Sequence, residues 1–186
     1  MRVLLLVVLL SSSAHADGRF DVHVGGGLEG GLIQGEPQPG LIAELGVGAD
    51  YFAPDRKWGL GVVLERVGRR TADVSIAHEH KLDVVFRITH PKNRCIGGVG
   101  MGIRQLSIDA GKASTVWGVD LARMTFELPL ARAGRVGVQF YFTWTFGLYH
   151  GELYGERFGD MPYPTKDYTT IASSYVLGLQ TSIDTH

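Results

Sequence analysis

Three groupings of residues in this chain have types and spacings that chemistry uses. Gly25-Gly26-Gly27-Leu28-Glu29-Gly30 spells G-x-G-x-x-G, with Asp50 twenty residues on. In a dinucleotide site those glycines open a helix whose N-terminus meets the pyrophosphate. Here Gly31, Gly35, Pro37 and Pro39 follow and break any helix, so no cofactor is expected. His78-Glu79-His80 is the second grouping. On a strand its two imidazoles share a face and offer two metal ligands, and a third would have to come from His23 or His150. A solvated strand end explains the same three residues, and no metal is expected. The third is His150 with Glu152, facing Ser173 and Ser174 from the next segment. A base, an acid and a nucleophile are present in type, but no spacing among them is diagnostic. No catalytic residue is assigned.

Composition narrows the field further. The 186 residues carry 18 Lys+Arg against 19 Asp+Glu, a net charge of -1, which argues against a nucleic-acid partner. One cysteine, Cys95, excludes a disulfide framework and a cysteine zinc site, and is expected as a shielded apolar residue. Hydrophobic residues make up 45%, too many for a disordered chain. Glycine, at 26 residues, is about twice its usual share of ~7%.

Met1-Arg2, the apolar run Val3 to Leu10, Ser11 to Ser13 and Ala14-His15-Ala16 fit a secretory signal peptide over residues 1–16. Residues 17–186 are expected to form one domain. No later stretch approaches the ~18 apolar residues of a spanning helix. The recurring signal is period two. Phe20, Val22, Val24 and Leu28 oppose Asp21, His23, Gly25 and Gly27. Leu41, Leu45, Val47 and Tyr51 oppose Glu44, Gly46, Gly48 and Asp50. Trp58, Leu60, Val62 and Leu64 oppose Gly59, Gly61, Val63 and Glu65, and Leu82 to Ile88 and Val99 to Ile103 alternate likewise. Val136, Val138, Phe140, Phe142, Trp144, Phe146 and Leu148 alternate with Gly137, Gln139, Tyr141, Thr143, Thr145 and Gly147. The last segment sets Tyr175, Leu177, Leu179 and Ile183 against Ser174, Gly178, Gln180 and Ser182.

The sixth segment is out of phase with itself. Met124, Phe126 and Leu128 take one parity, while Trp117, Val119 and Leu121 take the other. A β-bulge near Ala122 restores one face. An amphipathic helix through Trp117, Leu121, Met124 and Leu128 is the rival, and the strand-like neighbours favour the bulge.

The two faces decide between a soluble and a membrane barrel. Glycine weakens a water-facing strand but suits the crowded interior of a small barrel. Phe140, Phe142, Trp144 and Phe146 on one strand suit a lipid face. Inner turns are expected at Ala53–Arg56, His90–Arg94 and Ala131–Gly134. Longer outer loops are expected at Gln34–Pro39, Gly68–Ala77, Ser107–Ser114 and His150–Asp167. Signal peptide, eight alternating segments, glycine-rich inner face and aromatic outer face together resemble the small bacterial outer-membrane β-barrel family, over the whole of residues 17–186. Many such barrels end on an aromatic residue, whereas this chain ends Ile183-Asp184-Thr185-His186.

The resemblance implies an all-β fold, an eight-stranded antiparallel up-and-down transmembrane β-barrel in the bacterial outer membrane, with lipid as its surroundings. Two alternatives stand beside it: a soluble periplasmic lipocalin-like barrel binding a small apolar ligand, and an outer-membrane lipid hydrolase. Glu44, Glu65, Asp83 and Glu127 are expected to pair inside the barrel with Arg87, Arg104, Arg123 and Arg135, because buried charges must pair. Eight strands are too few for a wide channel, so those pairs would plug the lumen. Tyr154, Phe158, Tyr163 and Tyr168, among the charges of the 150–167 loop, are candidates for contact with an extracellular partner.

Overall fold

In a computed structural model of the chain, residues 17–33, 36–71, 77–90, 92–110, 112–152 and 167–185 are described. The proposed signal peptide and the tip of the 150–167 loop lie outside them. Eight strands follow one another: β1 (Asp17–Ile33), β2 (Glu36–Phe52), β3 (Trp58–Thr71), β4 (Ala77–Thr89), β5 (Ile96–Ala110), β6 (Lys112–Ala133), β7 (Val136–Glu152) and β8 (Asp167–Asp184). Each pairs antiparallel with the next, and β8 pairs with β1, so the sheet closes into an up-and-down barrel. Closure removes both sheet edges and satisfies the strand backbone internally, which a chain in lipid requires.

The strands outrun the alternation that announced them. All four expected outer loops are cut back by ladders continuing beyond the apolar belt, the second by β3, which runs to Thr71 and pairs Arg69 with Ala77. Glu36 to Pro39 pair with Gly30 to Ile33, Ala110 pairs with Lys112, and Glu152 pairs with Asp167. Where the apolar side chains end the backbone still gains from pairing, and alternation cannot report that.

The short turns fall close to where turn residues put them. Arg56 and Arg94 adopt left-handed backbone, at φ 53° and 55°, and Gly134 does so at φ 61° without a side chain to crowd it. The first turn is closed by Ala53 N–H donating to Trp58 O (2.9 Å) and Arg56 N–H donating to Ala53 O (2.8 Å). Cys95 is buried beside the second.

The sixth segment is one bulged strand. Opposite β7, Asp120 pairs with Gly147 and Ala122 with Phe146, leaving Leu121 as the extra residue. Trp117, Val119 and Leu121 therefore face outward together with Met124, Phe126 and Leu128. A second irregularity lies between Pro129 and Ala131.

A candidate site in the barrel interior

The outer surface is apolar all the way round. Val24, Leu45, Leu60, Val84, Met101 and Leu177, from six different strands, are each at least half exposed. A soluble barrel would turn this face inward. Here the charged and small residues are inside, which overturns the soluble ligand-carrier alternative and makes this the surface of a membrane-spanning barrel. The outward indole of Trp144 donates to Ser173 Oγ at 2.9 Å, and Trp58 stacks on Phe86 at 6.3 Å.

Inside, charged side chains assemble in tiers. Nearest the short turns, Arg19 and Asp50 are direct partners across β1 and β2. Arg19 Nε donates to Asp50 at 2.9 Å, and its Nη1 donates across the lumen to Glu127 at 2.6 Å. Arg87 Nε donates to Asp50 at 3.1 Å, and its Nη1 donates to Glu127 at 2.8 Å and to Thr125 at 3.0 Å. Two cations and two anions thus alternate around a ring, with all four side chains at least 96% buried. Gln180 donates to Glu127 at 3.3 Å, and Phe52 lies 5.5 Å from the Arg19 guanidinium, within cation–π range.

The middle tier centres on His23 and Arg123. Arg123 Nη1 donates to Glu65 at 2.7 Å and to Asp83 at 2.8 Å. His23 Nδ1 lies 3.2 Å from Asp21, and its Nε2 lies 3.2 Å from Glu65 and 3.7 Å from Glu44. Tyr141 donates to Glu44 at 3.1 Å and meets the His23 ring edge-on at 5.2 Å. Gly46 makes this approach feasible. It lies opposite His23 on one side and Glu65 on the other. A Cβ there would stand 2.2 Å from His23 Nε2. Beyond this tier Arg104 meets Glu79 at 3.3 Å and contacts Asp120. Ile42, Val67, Tyr141 and Val176 fill the space between as a small apolar cluster. A cavity of about 10 Å³, bordered by His23, Arg123, Tyr141 and Thr143, is at the threshold for one water molecule.

Glu44, Glu65, Asp83, Arg87, Arg104, Arg123 and Glu127 are all buried in the interior. Arg135 is not. It is exposed beside Gly134 in the β6–β7 turn, because the chain reverses one residue before it and the inward parity has already ended. Sequence reasoning left Arg19, Asp21, His23, Asp50, Lys81 and Asp120 out of the pairing set, although all are buried. Strand parity was the available signal for the first five, and Asp120 needs the β6 bulge as well.

The other sequence candidates are separated. His80 is exposed and His78 half-buried, on the parity opposite to buried Glu79, so the histidine pair points away from lumenal His23. His150 pairs with Thr169, four rungs from Ser173 and five from Ser174, a distance of about 13–17 Å along the strand. Ser173 accepts the Trp144 indole, and Ser174 is bonded to Thr145 within the barrel. These residues do not form a hydrolytic triad. Gly25 to Gly30 lie on β1, with no helix after them. Tyr168 is on β8 opposite Gly151. Tyr154, Phe158 and Tyr163 lie outside the described residues.

No family model and no curated protein matches this chain. Among solved structures, the barrel is similar to Neisserial surface protein A, with 9% identity, a TM-score of 0.47, and cover of 89% of this chain and 94% of that one. It is also similar to the outer membrane protein OprG from Pseudomonas aeruginosa, with 11% identity, a TM-score of 0.45, and cover of 91% and 97%.

Proposed function

We propose that this protein is a non-conducting β-barrel of the bacterial outer membrane, which holds its outer loops at the cell surface for recognition. The observation that carries the reading is the interior itself. Ion pairs occupy successive tiers, and the cavity among them has room for about one water. Such a barrel offers a solute no path, so its work falls to what it displays. The 150–167 loop, with Tyr154, Phe158 and Tyr163 among charges and Tyr168 just past it at the start of β8, has the composition of a contact surface for an extracellular partner.

Two measurements test this. In planar lipid bilayers the purified barrel gives no sustained open-channel current, and a stable open conductance would refute the plug. On intact cells, external trypsin cuts at Arg157 in the proposed outer loop before it cuts at Arg94 or Arg132 in the opposite turns. The reverse order would place the loop on the wrong side.

A further inference from the structure

We propose that His23, Glu44 and Glu65 form a binding site for one divalent transition-metal ion of zinc-like preference. One nitrogen and two carboxylate oxygens from these residues converge within 4.8 Å of one another. Around a four-coordinate zinc, with bonds of ~2.0–2.2 Å, neighbouring ligand atoms stand roughly 3.3–3.6 Å apart. His23 Nε2 already lies 3.2 Å from Glu65 Oε1 and 3.7 Å from Glu44 Oε1. Small side-chain rotations bring the set to metal distance.

Four observations beyond the cluster support this. The first is the partner of the other imidazole nitrogen. His23 Nδ1 faces Asp21 at 3.2 Å. An N–H donated there leaves the Nε2 lone pair pointing at the two glutamates, the carboxylate–histidine–metal arrangement that orients ligating histidines. The second is that each carboxylate is itself held. Tyr141 donates to Glu44 and Arg123 to Glu65. The third is that Glu44 Oε2 has no hydrogen-bond partner, although Glu44 is only 2% exposed. A buried carboxylate oxygen without a partner is costly, and a cation held by both oxygens of the Glu44 carboxylate satisfies it.

The fourth is charge. Asp21, Glu44, Glu65 and Asp83 surround the site, with Arg123 and Lys81 in electrostatic reach of them; Arg19 also reaches Asp21, but it belongs to the ring with Asp50, Arg87 and Glu127, whose two cations and two anions cancel. Four negative charges against two positive leave −2. A protonated His23 brings that to −1. A divalent ion on a neutral His23 brings it to zero. Gly46 supplies the room, since any larger residue there would put a Cβ on His23 Nε2. Loading must accompany folding, because the site is closed once the barrel is formed.

The test uses the untagged barrel refolded into lipid with zinc, then washed with chelator. Folding is scored by heat-dependent gel mobility, and bound metal by elemental analysis. One zinc per folded barrel is expected. His23→Gln and Glu44→Gln should retain less than a tenth of that, and Asp21→Asn should bind 10–100-fold more weakly. His78→Gln/His80→Gln, on the outer face, should keep the full equivalent. Cobalt in place of zinc should give the visible bands of a four-coordinate nitrogen–oxygen site, so the wild type is decisive even if a variant fails to fold. Less than a tenth of an equivalent in the folded wild type, or zinc retained by folded His23→Gln, overturns the proposal.

Discussion

Glu127→Gln is the sharpest probe of the ring that joins Arg19, Asp50, Arg87 and Glu127. Glu127 receives hydrogen bonds from Arg19, Arg87 and Gln180, and its side chain is 2% exposed. The amide keeps the volume and one acceptor oxygen but removes the charge. Two guanidiniums, each 4% exposed, are then left to share Asp50. Removing one member of a buried ion pair costs about 3–5 kcal/mol, because the partner's charge stays buried without compensation. The amide oxygen still accepts one bond, so the low end applies, about 3 kcal/mol. For a domain of this size each kcal/mol moves the melting temperature by about 2–4 °C, so a fall of about 6–12 °C follows. The assay is denaturant unfolding in lipid vesicles, read by the fluorescence of Trp58, Trp117 and Trp144, all on the lipid side of their strands. Arg87→Gln combined with Glu127→Gln should cost less than the two singles together, with a coupling of about 1–3 kcal/mol. A single-variant loss below about 1 kcal/mol, or strict additivity, would refute the view of this ring as one electrostatic unit.

Three further outcomes follow from the same geometry. Phe142→Arg places a guanidinium on the lipid side of mid-strand β7, and should cost about 2–4 kcal/mol and lower the protease-protected fraction in vesicles. Insertion equal to wild type would reverse the assignment of faces. Thr143→Val should leave stability unchanged or raise it by about 1 kcal/mol, since the buried Thr143 hydroxyl has no partner to lose. A loss above 1 kcal/mol in denaturant unfolding would show that the hydroxyl is engaged. Gly46→Ala forces His23 off its position and should cost about 1–3 kcal/mol by the same assay. An unperturbed His23 ring signal by NMR in that variant would contradict the close approach.

Alternation carried the fold because a barrel strand must choose a face at every residue, and lipid and lumen demand opposite chemistries. Phe140 to Leu148 against Tyr141 to Gly147 is legible for that reason, and so is the phase break at Leu121. The pairing partners are another matter. Arg19 and Glu127 are 108 residues apart and Arg123 and Glu65 are 58 apart. Parity says only that each points inward. Which charges meet depends on the stagger between strands, and stagger is set by turn lengths and bulges summed around the barrel. The β6 bulge shows the effect. Asp120 and Arg123 are three apart, so one unbroken strand would send them to opposite faces, yet both are buried in the lumen. Without the bulge Asp120 would face lipid and Arg104 would lose a contact, so a single extra residue decides the composition of a whole tier. Arg135 fails in the other direction: it keeps a charge suited to the interior but stands beyond the last paired residue of its turn. Inward parity was therefore sufficient to list the interior charges only where the ladder runs unbroken, and the His23 cluster, built from three strands around one glycine, exists only once the register is known.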